Sequence, residues 1–122
     1  MAFLSDNVLD EGLDYLTANG TRIDICSAEP TTYTEATSTN TLGNKTSLTV
    51  GAAQDGASSG RRVTVPAITD GSVTGTDTAT HWALTDGVSE LLATEALSSS
   101  QAVTSGNTFT LDAIDITIPD PA

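Results

Sequence analysis

The chain has 122 residues, 38% of them apolar and only 4% aromatic, which suits one domain with a modest core. Its net charge is −12, from 16 acidic and 4 basic side chains, and Arg22, Lys45, Arg61 and Arg62 are too few for a phosphate-binding face. Nucleic acid and anionic membrane are therefore not expected partners, and a Thr- and Ser-rich composition exceeding a quarter of the chain points to β-structure. The opening Met-Ala-Phe-Leu-Ser-Asp has no basic segment followed by an apolar run, so no signal peptide is expected. No stretch approaches about 18 apolar residues, so no membrane span is expected either.

Residues 5–18 read as the one helix. Ser5 or Asp6 can cap it, and Asp6, Asp10 and Glu11 suit its positive end. Val8, Leu9, Leu13 and Leu16 fall on one apolar face, with Phe3 and Leu4 placed to staple onto it. Asn19-Gly20 ends it, both residues tolerating positive φ. Residues 21–27 alternate Ile23 and Ile25 against Arg22, Asp24 and Cys26, the pattern of a strand. Cys26 has no possible disulfide partner within the chain and reads as a small buried residue.

Residues 28–44 are dominated by Thr, Ser, Glu and Asn, with Tyr33 and Leu42 as the large apolar exceptions. They read as a polar arm, or as a loop ordered by contact with something else. Residues 45–50 form a short strand candidate and 51–60 a flexible Gly, Ala, Ser and Asp loop. From 61 the pattern becomes regular. Residues 61–68 are a strand with Val63 and Val65 on one face, and Pro66 puts it at an edge or a bulge. Asp70-Gly71 reads as a turn, followed by a short piece at 72–75.

Residues 78–85 are the next strand, Asp86-Gly87 the next turn, and 90–97 continue the meander. Ser105-Gly106-Asn107 turns the chain into a long final strand over 108–118. There Phe109, Leu111 and Ala113 share one parity and Ile114, Ile116 and Ile118 the other. A single regular strand cannot keep both sets on one face, so a β-bulge is expected near 112–114. Pro119 and Pro121 stop the strand. The expected fold is mainly β: one domain, an antiparallel β-sandwich with one N-terminal α-helix, its core drawn mainly from 61–118. Val63, Val65, Trp82, Leu84, Phe109, Leu111, Ile114 and Ile116 are the expected core.

Chemistry is sparse. His81 is the one histidine, beside Trp82, and no nucleophile elbow accompanies it. Alternation sets it with Ala83 and Thr85, opposite Trp82 and Leu84, as a surface or interface residue. One His and one Cys do not make a zinc site. Asp70 and Asp77 could offer oxygen to calcium, but without EF-hand spacing. The Asn-x-Thr triplets at Asn19 and Asn44 read as chance matches in a Thr-rich chain. No phosphate-binding Gly loop is present, and no catalysis, cofactor or metal is expected.

The second half runs Arg61-Arg62-Val63-Thr64-Val65, Ser72-Val73-Thr74, Ala79-Thr80-His81-Trp82-Ala83-Leu84-Thr85-Asp86-Gly87 and Leu91-Leu92-Ala93-Thr94. Leu97-Ser98, Val103-Thr104-Ser105-Gly106-Asn107-Thr108-Phe109 and Ile114-Asp115-Ile116-Thr117-Ile118 follow. This succession resembles a family of small tailed-phage virion structural proteins, called head decoration or tail-fibre-like. The opening helix and the run from Arg22 to Pro30 resemble that family's N-terminal half. The resemblance implies a capsid decoration, or cement, protein on the outer surface of the head, with the major capsid protein as partner. A tail- or fibre-associated protein is the alternative, and a glycan-binding module a third reading. Self-association, as a trimer, is expected. Arg61, Arg62, Tyr33, Glu35, Leu42 and Lys45 are the candidate capsid contacts.

Overall fold

Alternating Ile, Val and Leu positions between Gly and Asp turns direct most of this chain into strands. A computed structural model describes residues 5–56 and 58–119. The elements are α1 (Asp6–Asn19), β1 (Arg22–Cys26), a π-helical turn (Glu35–Thr39), β2 (Thr41–Lys45), β3 (Gln54–Asp55) and β4 (Arg61–Val65). They continue with β5 (Ile68–Val73), β6 (Asp77–Thr85), β7 (Leu91–Val103), β8 (Thr108–Leu111) and β9 (Ile114–Ile118). The protein is mainly β with one N-terminal helix. A six-stranded sheet, in the order β7-β6-β1-β2-β5-β8, curls into a half-barrel, and β3-β4-β9 form a second sheet. All pairings are antiparallel.

The helix buries Leu9 and Leu13 and half-buries Leu16, resting on β4. Val8, expected on the same face, is 58% exposed. The apolar stripe is thus narrower than the spacing suggests, with Leu9 and Leu13 at its buried positions. The Ser5 side chain makes no capping bond; its carbonyl accepts from the Val8 and Leu9 amides at 3.0 and 3.3 Å. The expected staple from Phe3 and Leu4 lies outside the described residues. Gly20 ends the helix at φ −76°, not at positive φ. It is required for closeness, since a Cβ there would meet the Leu16 carbonyl oxygen at 2.8 Å and the Leu84 and Val50 side chains at 3.1 Å.

β1 is an inner strand, with Ile23, Asp24, Ile25 and Cys26 all buried. Ile23 and Ile25 enter the main core. The opposite face carries Cys26, which packs with Ala36 and Ala83. Residues 28–44 are therefore no free arm. Thr31 donates its amide and hydroxyl to Glu35 Oε1 at 2.7 and 2.8 Å, Thr32 Oγ1 accepts the Glu35 amide, and the Thr37 hydroxyl donates to the Tyr33 carbonyl. The segment satisfies its own polar groups and lays Ala36 over Cys26, while 41–44 open β2, a strand with partners on both sides. The expected strand at 45–50 is displaced to 41–45, and Leu48 and Val50 reach the core from irregular backbone.

Two further expectations change. Asp70-Gly71 is not a turn; both lie inside β5, whose register against β8 shifts between Ile68 and Gly71. The glycine is there because the Phe109 ring lies where its Cβ would stand. The parity flip in the last segment is not a bulge in one strand but a change of sheet. Val65 opposes Ile114 in the small sheet, and Ile68 opposes Leu111 in the large one. From β4 through the corner to Ile68 the paired segments thus keep one register while both bend, at Pro66-Ala67 and at Asp112-Ala113. Strands that pass between sheets make such corners. Pro66 follows β4 at the end where β9 alone pairs with it, β3 reaching only Arg61 and Arg62. Ala113 is exposed at the bend, so it leaves the parity set expected for it.

Both sheets close on one core. It holds Val63 and Val65 together with Ile23, Ile25, Leu42, Leu48, Val50, Ile68, Val73, Trp82, Leu84, Phe109 and Leu111. Of its 15 buried residues, six come from the first half of the chain, Leu13 to Val50, and nine from 61–118. Ile114 and Ile116 are only half-buried and pack at its margin.

Candidate functional site

The six residues expected to contact a partner are spread over the segment at the π-helical turn, β2 and β4. Leu42 is 7% exposed and belongs to the core. Glu35 is turned onto Thr31, which holds its carboxyl below the ordinary carboxylate range, the Thr31 amide being the main cause. Tyr33 is half-buried. Lys45 Nζ donates to Asp70 Oδ2 at 2.9 Å. Arg61 donates Nε to Asp10 Oδ1 at 2.8 Å and Nη1 to Asp55 Oδ1 at 2.7 Å, pinning the helix to the small sheet. Arg62 Nη1 donates to Asp115 Oδ2 at 2.9 Å, across the β4-β9 pair.

The fourth cation is likewise engaged. Arg22 clasps the buried Asp24 with Nε at 2.7 Å and Nη2 at 2.9 Å, and the Thr41 hydroxyl adds a third bond at 2.7 Å. This bidentate geometry is the strong form of a charge-assisted pair. All four cations lie in pairs with the chain's own carboxylates, so the surface presents acid.

His81 is half-buried, with Nδ1 2.9 Å from the Thr80 hydroxyl. The face it shares with Ala83 and Thr85 is covered, both of those residues being fully buried. Asp70 is paired with Lys45, and Asp77 Oδ1 accepts the next residue's amide. Among the described residues no three His, Cys, Asp or Glu side chains converge as a metal-ligand set. No helix among them is long and apolar enough to cross a membrane.

A concave feature lies among residues that the sequence pattern does not single out. β7 and β8 are consecutive strands joined by residues 104–107, with Gly106 at φ +92° and the Asn107 amide donating to the Thr104 carbonyl at 3.1 Å. A hairpin of this kind would ordinarily zip into a ladder. Here its arms part: β7 pairs with β6 and β8 with β5, at opposite edges of the curled sheet. The seam between them holds a groove of about 470 Å³. Trp82, Leu97, Leu111 and Ile114 supply its apolar surface, and Ser98, Ser99 and Ser100 line one wall.

A local irregularity in β7 accompanies the parting. In the β6-β7 ladder Ala79 opposes Gln101 and His81 opposes Ala96, so Thr80 alone stands opposite residues 97–100. An extended bulge of this kind takes the backbone out of pairing and bends the strand. The bond across the seam runs from Gln101 Nε2 to the Thr110 carbonyl, at 2.8 Å. The rim is acidic, with Glu95, Asp112 and Asp115 and no cation among the lining residues. Asp115 is engaged by Arg62 and by the Thr64 hydroxyl. A strand too rich in Ser to suggest a site, 97–100, was the one sequence signal available.

No protein-family model matches the chain, no curated protein matches it in sequence, and no solved structure matches it in fold.

Proposed function

We propose that the chain is a non-catalytic structural module that binds protein surfaces, as a decoration protein on the outer surface of a phage head. In this reading its two sheets act as the layers of a β-sandwich, the larger layer curled, and it bridges neighbouring major capsid subunits. The observation that carries the binding reading is the seam: a groove bordered by strand edges, without a nucleophile and base set against each other, suits polypeptide more than chemistry. The placement on a virion is supported by the sequence resemblance of residues 61–118 to small virion proteins. An acidic exterior suits a surface facing away from packaged DNA.

Co-sedimentation of the purified protein with heads that lack it tests the reading, followed by heating of the coated particles. Saturable coating at high copy number with protection from heat is the expected result. Failure to bind heads, with binding to tails at low copy number, transfers the proposal to a tail-associated role. Light scattering tests the proposed trimer. Arg61→Glu and Arg62→Glu are poor probes of attachment. Each would set a new carboxylate against Asp10 and Asp55, or against Asp115, and disturb packing first.

A further inference from the structure

We propose that the seam between β7 and the β8-β9 corner accepts an extended, lysine- or arginine-bearing segment of a partner protein as an added strand. The inference rests on the protein-binding reading above and names the occupant of its groove. Unpaired strand edges are templates for another strand, with main-chain bonds supplying affinity and alternate side chains specificity. At this seam residues 97–100 leave their ladder, and the Thr110 carbonyl turns across the groove. The Gln101 side-chain amide donates to that carbonyl in place of any β7-β8 ladder bond.

Shape and charge select the occupant. Successive residues of a strand point to opposite faces, so an incoming segment can set apolar side chains on Trp82, Leu97, Leu111 and Ile114. Its alternate side chains then face the rim, where Glu95 and Asp112 have no ion-pair partner among the described residues. Cations there would meet uncompensated carboxylates. A second copy of this chain is disfavoured as occupant, since it brings a net charge of −12 to an acidic groove.

The probe is a synthetic peptide alternating Lys and Val, compared with a Glu-Val peptide of equal length and with a Lys-Val peptide carrying N-methylated amides. Trp82, the sole tryptophan, reports from the groove surface. The Lys-Val peptide should shift its emission saturably and slow amide exchange at 97–100 and 112–114, while the other two peptides do neither. Glu95→Lys with Asp112→Lys, both at exposed positions, should weaken binding roughly tenfold at low salt. Equal binding of the N-methylated peptide would show adsorption by charge and overturn strand addition. Unchanged Trp82 emission and amide exchange overturn the seam as an acceptor. Protection that grows with protein concentration alone overturns the basic partner in favour of a second copy. A protein that coats heads yet ignores the Lys-Val peptide overturns the seam only; one that binds the peptide and never coats heads overturns the decoration reading only.

Discussion

Replacing Gly71 with Ala should destabilise the protein, although glycine-to-alanine changes inside strands are ordinarily favourable. Gly71 is buried in β5 and lies outside the positive-φ region, so alanine meets no backbone strain there. On entropy alone the change would stabilise by about 0.4–1 kcal/mol. The opposing term is steric. A Cβ at Gly71 would fall well inside contact distance of Cε1, Cζ and Cε2 of Phe109. Phe109 is 2% exposed and packed in the main core, so its ring has no open space to retreat into. Overpacking costs about 1–3 kcal/mol and sometimes more, and complete loss of a buried Phe side chain sets a ceiling of about 3–5 kcal/mol. Because three ring atoms lie inside contact distance, the steric cost should exceed the usual overpacking range and approach that ceiling; less the entropy gain, the net loss should be about 2–4 kcal/mol, which for a domain of this size lowers Tm by roughly 10 °C. Urea unfolding followed by Trp82 fluorescence measures it. The partner change Phe109→Leu removes the obstructing ring, so the double variant should lose at least about 1 kcal/mol less than the two single losses combined. Wild-type stability in Gly71→Ala, or additivity within about 0.5 kcal/mol, would refute the packing argument.

Leu111→Ala should cost about 2–5 kcal/mol, since Leu111 is 7% exposed beside the corner where β8 passes to β9; a negligible loss in urea unfolding would show that the corner collapses to fill the space. Cys26 is fully buried, and desolvation followed by the nearby Asp24 charge pushes its thiol up to about 12. It should resist a thiol reagent at neutral pH until the protein unfolds, and labelling at the rate of a free thiol would contradict its burial. Asp86 accepts the amides of Glu90, Ser89 and Val88, which hold its carboxyl below the ordinary value in the folded state. The unfolded chain then binds the proton more readily, so this contribution is present above the ordinary carboxylate pKa and is lost as pH falls through the lower, folded value. Asp86→Ala should flatten acid unfolding curves in that window, and superimposable curves for the two proteins would remove Asp86 from the effect.

Local signals determined a good deal. Helical spacing with flanking Asn-Gly placed α1 to within a residue at each end. Strand alternation placed β1 and β6, and Asp86-Gly87 and Ser105-Gly106-Asn107 turned the chain where expected, with Gly87 and Gly106 both at positive φ. Each of these depends on a few neighbouring residues and on interactions that close within them. The burial of Val63, Val65, Trp82, Leu84, Phe109 and Leu111 was legible for the same reason, because one sheet face must be apolar.

Tertiary structure decided the rest. β2 reads Thr-Leu-Gly-Asn-Lys, which lacks the alternation of an inner strand. It can lie inside because the Arg22-Asp24-Thr41 bonds satisfy polar groups between β1 and β2, and because Gly43 admits the Ser72 and Val73 backbone where a Cβ would clash. The parity flip between Leu111 and Ile114 is identical for a bulge and for a change of sheet, and only the pairing of β9 with β4 separates them. The seam is the furthest from the sequence. Its walls come from a Ser-rich bulge and a hairpin that fails to zip, and both follow from which strands β7 and β8 choose as partners. Pairing is a non-local choice, made by the curl of a whole sheet around one core, and a linear pattern of apolar and polar residues does not encode it.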